Sequence, residues 1–267
     1  MLTRFHKMHG LGNDFVVFDA RQADIAMDEP RARGLADRMT GVGCDQLIVL
    51  RASTRADAEM RIYNADGGEV EACGNATRCV AQLLGGTATI ATRGGVLSAD
   101  AAGDDVAVTL PPPRFGWADI PLAEAMDTSD MPVAWDELAR PAAVNVGNPH
   151  LVFFVPDCDA VDLATIGPRI ETDPLFPDRI NVNVATIEPD HIRLRVWERG
   201  AGLTRACGTG GCATAVIAIR SRRVRSPVTV SLPGGDLVID WGEGRPIRMT
   251  GPATHVFTGE IDLAAFG

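Results

Sequence analysis

Cys73 and Cys207 are the residues of this chain best placed to do chemistry. Each is followed at once by small or polar residues, Gly74-Asn75 in one case and Gly208-Thr209-Gly210 in the other, and each stands where a helix is expected to begin. A thiol at a helix start faces backbone N–H groups that have no earlier carbonyl to bond, and it feels the positive end of the helix dipole. Both effects favour the thiolate and lower its pKa. The same N–H groups suit a bound carboxylate. A thiolate beside such a carboxylate could take the α-proton from one face while an opposing thiol delivers a proton to the other. That is stereoinversion by general base and general acid. Preorganised N–H donors would stabilise the charge that develops on the carboxylate. The scheme requires neither metal nor pyridoxal phosphate, and no motif in the chain demands either.

Both cysteines belong to an internal repeat, which decides the architecture. Arg61–Asn75 lies over Arg195–Thr209 without a gap, at an offset of 134 (195 minus 61). The run Gly12-Asn13-Asp14-Phe15-Val16-Val17-Phe18 lies over Gly147-Asn148-Pro149-His150-Leu151-Val152-Phe153, at an offset of 135 (147 minus 12). The chain therefore reads as two related halves, 1–114 carrying Cys73 and 115–258 carrying Cys207. A pseudo-twofold relation between them would aim two cysteines and two helix starts at one cleft.

Short runs rich in Val, Ile, Leu and Phe predict strands at Phe15–Phe18, Leu47–Leu50, Val106–Leu110, Leu151–Val155, Ile192–Trp197 and Val228–Leu232. After Cys73, apolar residues recur at helical spacing until Gly85-Gly86 stops them. After Cys207, Ala213–Ile219 is apolar on nearly every side, the mark of a buried helix. Arg220, Arg222 and Arg223 follow where the dipole favours positive charge. Pro111-Pro112-Pro113 ends the first half, and Phe115 to about Pro141 reads as a connection plus a short helix. The fold class is α+β: two pseudo-symmetric halves, each a mostly antiparallel sheet or barrel wrapped around a central helix.

The net charge of −10 argues against a nucleic-acid binder, which needs a basic face. No apolar run approaches the ~18 residues of a membrane span, and the N-terminus lacks the apolar core of a signal peptide. A cytoplasmic protein is the simplest reading. Cys44, Cys79, Cys158 and Cys212 read as small buried hydrophobes.

The motifs point to a family. Asn64-Ala-Asp-Gly with Ala72-Cys-Gly-Asn-Ala-Thr-Arg-Cys79, and Glu198-Arg-Gly with Ala206-Cys-Gly-Thr-Gly-Gly-Cys212, resemble the two signatures of the diaminopimelate epimerase family. The opening Lys7–Phe15 is similar too, as are Gly41–Gln46, Gly147–His150, Asn181–Asn183 and the C-terminal run from Gly251. The resemblance implies conversion of L,L-diaminopimelate to the meso isomer, in lysine and peptidoglycan-precursor biosynthesis, without cofactor or metal. It implies Cys73 and Cys207 as acid and base, and the amides of Gly74, Asn75, Gly208 and Thr209 as the carboxylate site. Asn13, Gln46, Asn64, Asn148, Asn183, Glu198 and Arg199 would bind the rest of the substrate. Arg199 suits a distal carboxylate, and His150 and Glu198 would tune the thiols. The resemblance also implies a homodimer with Phe257 near its contact, and a return of 259–267 to the first half. Competing readings are a proline or hydroxyproline racemase of the same fold, a phenazine-type isomerase, an amino-acid-binding protein without catalysis, and a redox thiol protein. Proline would leave the polar set around Asn64, Glu198 and Arg199 poorly satisfied.

Overall fold

The structure is a computed structural model that describes residues 2–70 and 73–266. The chain divides into two compact units, Met1–Val108 with Gly251–Gly267, and Thr109–Thr250.

In the first unit, β1 (Leu2–Gly10) and β2 (Asn13–Ala20) form an antiparallel hairpin. Leu11 and Gly12 close it with φ of 58° and 82°, the left-handed pair that a two-residue hairpin turn requires. Helix α1 (Glu29–Ala36) starts at Asp28, whose side chain accepts from Arg31 N–H, and leads to β3 (Gln46–Arg51), parallel to β2. Strand β4 (Ala58–Asn64) is antiparallel to β3, and β5 (Glu69–Val70) to β4. Helix α2 (Gly74–Leu84) follows. Then come β6 (Thr87–Thr92), parallel to β4, β7 (Gly95–Ala102), antiparallel to β6, and β8 (Asp105–Leu110).

The second unit opens with a small hairpin, β9 (Ala134–Trp135) and β10 (Leu138–Ala139). After it, β11 (Ala142–Asn145) pairs antiparallel with β12 (Pro149–Phe154). Helix α3 (Leu163–Glu171) crosses to β13 (Asn181–Ile187), parallel to β12. Strands β14 (His191–Glu198) and β15 (Gly202–Thr204) continue antiparallel, and α4 (Gly208–Arg220) follows. Then come β16 (Val228–Leu232), parallel to β14, β17 (Gly235–Asp240), and β18 (Ile247–Pro252). Strand β19 (Thr254–Asp262) lies back along β1 in the first unit, from Leu2↔Asp262 to His9↔Thr254. From β2 to β7 and from β12 to β17, element order and pairing direction repeat step for step.

Each central helix has strands around it. Helix α2 packs on β1, β2, β6 and β7, and α4 packs on β11 to β14, β16 and β17. Every residue from Gly210 to Ala218 is buried, as an all-apolar helix requires. The other sheet face is covered as well. Val16, Phe18, Leu47 and Val49 form a core with Leu35 of α1, while the alternate residues Phe15, Val17, Ile48 and Leu50 are also buried. Strands buried on both faces read as continuous apolar runs rather than alternating ones. The four secondary cysteines, Cys44, Cys79, Cys158 and Cys212, are all buried.

Two expectations need correction. Among the described residues no helix lies between Phe115 and Pro141; the segment holds turns and the β9–β10 hairpin. Pro121, Pro132 and Pro141 interrupt it, each lacking the N–H a helix would use. What orders it is burial of Ile120, Leu122, Met131 and Leu138 in the core under α3. The return to the first unit begins at Gly251, before the expected 259, because β19 pairs with β1 along its whole length.

Helix α3 approaches β14 closely at Gly167, where a Cβ would lie 2.6 Å from Cγ of Trp197. Replacing glycine by alanine inside a helix ordinarily gains about 1 kcal/mol. At Gly167 the overpacking cost of about 1–3 kcal/mol should win. Urea unfolding of Gly167→Ala should therefore show a lower midpoint than the parent; a higher one would contradict this packing.

Candidate active site

In the first unit, Cys73 is the N-cap of α2, with extended backbone (φ −147°, ψ 117°). Thr77 N–H donates to the Cys73 carbonyl at 2.9 Å, so the N–H groups of Gly74 and Asn75 come ahead of the helical ladder. Asn13, at the start of β2, places its Oδ1 3.9 Å from Cys73 Sγ. A chain of side-chain amides fixes that oxygen. Arg78 Nη2 donates to Asn75 Oδ1 (2.9 Å), Asn75 Nδ2 to Asn13 Oδ1 (3.1 Å), and Asn13 Nδ2 to Asp45 Oδ2 (3.0 Å). A cation at one end and a carboxylate at the other set the direction of every amide between them. Gln46 and Asn64, directly opposed on β3 and β4, are joined by Gln46 Nε2 donating to Asn64 Oδ1 at 2.9 Å. Gln46 Oε1 is buried without a partner among the described residues.

In the second unit, Cys207 is the N-cap of α4, again extended (φ −127°, ψ 107°). Its Sγ accepts from Gly210 N–H at 3.4 Å and lies 3.5 Å from Thr209 Oγ1. The first intrahelical bond runs from Gly211 N–H to the Cys207 carbonyl (3.0 Å), so the amides of Gly208 and Thr209 precede the ladder. Gly210 has to be glycine: a Cβ there would lie 2.7 Å from Asn183 Oδ1 and 3.0 Å from Val196 Cγ2. Asn148 in the turn before β12, His150 on β12 and Asn183 on β13 gather behind Thr209 and Cys207. Asn148 Nδ2 donates to Thr209 Oγ1 at 3.3 Å, and His150 Nε2 lies 2.9 Å from Asn148 Oδ1. Asn183 Oδ1 is buried and has no partner among the described residues. Glu198 accepts from Thr204 Oγ1 at 2.6 Å and acts electrostatically on Cys207. Arg199 is exposed, with Nη1 donating to the Asp178 carbonyl at 2.9 Å. Phe257 lies on β19, exposed and edge-on to Phe5.

Several supporting residues carry no role in the sequence reading. Arg78 is fully buried although charged; its place within the Cys73 motif was the only signal. Glu171, at the end of α3, holds the Glu198–Arg199 turn from below. Its carboxylate accepts from Trp197 Nε1 (2.7 Å) and from Gly200 N–H (2.9 Å). Asn181 adds a second clamp by accepting from Arg199 N–H at 3.0 Å. No local pattern reveals these contacts, because each joins elements far apart in sequence. Among the described residues, the one grouping of metal-type ligands is Asp157-Cys158-Asp159. Arg193 already pairs with both of its carboxylates.

Electrostatics revise one expectation. Burial pushes the Cys207 thiol well above its ordinary value and the Glu198 carboxylate adds to this; Thr209 and Gly210 pull it back. Desolvation therefore outweighs the helix start. Burial likewise holds His150 down at about 3, with Asn183 opposing and Arg199 adding, so the ring is neutral near pH 7. The unfolded chain binds a proton at His150 from about pH 6.5 downward while the folded protein does not until about 3. His150 thus contributes stability that is complete above pH 6.5 and is lost as pH falls through that window. The parent's unfolding free energy should decline across the window, and His150→Gln should remove His150's share of the slope. Equal slopes in the two proteins' urea titrations would contradict the assignment.

Comparison with known proteins gives the family. The family model described as diaminopimelate epimerase matches residues 5–115 and 142–256. The diaminopimelate epimerase of Rhizorhabdus wittichii is 69% identical, over 100% of this chain and 98% of its own length. That of Zymomonas mobilis is 55% identical over 100% of both chains. Among solved structures, a phenazine biosynthesis protein of the PhzF family from Bacillus anthracis aligns with a TM-score of 0.71, at 14% identity, over 98% of this chain and 99% of that one. A hydroxyproline epimerase from Agrobacterium vitis aligns at 0.67 and 15% identity, over 97% of this chain and 91% of that one. These last two share the fold. With both cysteines at matched helix starts and relatives this similar along the whole chain, the protein belongs to the diaminopimelate epimerase family.

Proposed function

We propose that this chain interconverts L,L- and meso-diaminopimelate, with Cys73 and Cys207 as its two proton-transfer groups. The observation that carries the reading is the repeat. One unit places a thiol at the N-cap of α2, and the other places one at the N-cap of α4.

The reaction itself dictates what these residues must do. Removing an α-proton leaves charge that spreads onto the carboxylate. The first-turn amides of Gly74, Asn75, Gly208 and Thr209 supply donors for it that need no reorganisation. Inversion needs a base on one face of the carbon and an acid on the other, so one sulfur is a thiolate when the other is a thiol. After one turnover the proton has changed sides, and the same pair is set for the reverse reaction. The thiols supply both acid and base, so the chemistry requires neither metal nor pyridoxal phosphate. At the distal end, Arg199 suits the carboxylate and Glu198 the ammonium group. The unpartnered oxygens of Gln46 and Asn183 are acceptors that an ammonium ion would satisfy. Asn64 and Asn148 complete the polar set. We place the enzyme in the cytoplasm as a homodimer, with exposed Phe257 at the contact.

Proton NMR of L,L-diaminopimelate with reduced enzyme in D2O, without added cofactor, tests the reading. The α-proton signal should fall as the meso isomer appears, and the rate should trace a bell against pH. Cys73→Ala and Cys207→Ala should each lower turnover by about a hundred- to ten-thousand-fold. Near-parental turnover in either variant would remove that cysteine from the mechanism.

A further inference from the structure

The hydrogen bonds behind Cys207 run in one direction. A backbone carbonyl can only accept, so the amide nitrogen of Asn183 faces the Leu151 oxygen, at 2.9 Å. The same nitrogen lies 3.1 Å from His150 Nδ1. Buried, neutral His150 carries one ring proton, and with Nδ1 accepting, that proton is on Nε2. Nε2 therefore donates to Asn148 Oδ1, at 2.9 Å. This turns Asn148 so that its nitrogen donates to Thr209 Oγ1, at 3.3 Å. A hydroxyl has one hydrogen. With an amide donating to its oxygen, the Thr209 hydrogen is directed to the next neighbour, Cys207 Sγ at 3.5 Å.

We infer that the Thr209 hydroxyl donates to the Cys207 thiolate, and that Asn148, His150 and Asn183 are positioning residues that act through it. The inference rests on the reading of Cys207 as a proton-transfer group. It gives the threonine side chain a role beyond that of its amide, and it gives the two asparagines a role beyond holding substrate. The physical need is plain. Cys207 is buried beside Glu198, and both facts oppose a thiolate there. A file of neutral dipoles, all turned the same way, stabilises the anion without a second buried charge. A cation in that place would hold the proton off Cys207 and spoil it as an acid in the reverse direction. The neutral file leaves both protonation states within reach.

Alkylation of Cys207 by iodoacetamide tests this on the thiol itself, in full-length protein carrying Cys73→Ala, at fixed pH near 8, with the modified residue mapped by mass spectrometry. Losing one hydrogen bond to the thiolate should raise the thiol's pKa by about one to two units. The remaining thiolate is more nucleophilic, which returns part of the loss. Thr209→Val should therefore slow alkylation by about three- to tenfold, and Thr209→Ser should restore it. Asn148→Ala should also slow it, but should add nothing in the Thr209→Val background, since Asn148 acts through the hydroxyl. A Thr209→Val rate equal to the parent's, or an Asn148→Ala effect that adds in full, would overturn the inference. No substrate enters the assay, so its failure is distinct from a failure to epimerise diaminopimelate.

Discussion

The first turn of an α-helix has N–H groups that no preceding carbonyl can bond, and in this protein two such turns carry a cysteine at the cap. Everything else in each unit follows from keeping that turn open at one end and immobile along its length. Immobility comes from burial: α4 is enclosed by strands on nearly every side, and its Gly210 approaches β13 and β14 too closely for any side chain. At the other end, the amides of Gly74 and Asn75, and of Gly208 and Thr209, come ahead of the helical ladder.

The two cysteines sit in matched backbone settings with unlike neighbours. Behind Cys73 the amides of Asn75 and Asn13 are strung between a guanidinium and a carboxylate, Arg78 and Asp45. Behind Cys207 the file of Asn183, His150, Asn148 and Thr209 is neutral throughout and anchored on a backbone carbonyl. Both devices fix amide orientation, and orientation decides whether a sulfur meets a donor or an acceptor. A repeat that began as two copies has kept its cap geometry and diverged in the side chains that polarise it. Two thiols that meet opposite faces of one α-carbon need opposite protonation states, and unlike surroundings allow that difference.

The sequence announced the elements that repeat and missed those that do not. Cys73 and Cys207, the strands around them and the buried run after Cys207 were legible because a period of 134 to 135 residues (61 to 195, 12 to 147) doubled each signal. Helices α1 and α3 went unread, since each is short and its apolar residues are too few to mark a stripe. The segment from Phe115 to Pro141 reads as a connection plus a short helix but holds a hairpin in place of the helix, because its order comes from contacts with the α3 core rather than from local pattern. Glu171 and Asn181 were invisible for the same reason: their partners at Trp197, Gly200 and Arg199 lie 18 to 29 residues away. The lowered thiol pKa expected at Cys207 failed because composition shows a helix start but not the depth at which it is buried.

The central claim is that two separate thiols, one per face, carry the proton, and the early fate of deuterium tests it most directly. L,L-Diaminopimelate should be turned over in D2O with reduced enzyme and sampled at a few per cent conversion. If two monoprotic thiols act, the inverted meso product carries solvent deuterium at the inverted carbon. The recovered L,L substrate stays protiated, because the sulfur that takes its proton returns the same one. Deuterium appearing in recovered substrate as fast as in product would mean that a single exchanging base serves both faces, and the pairing of Cys73 with Cys207 would be wrong.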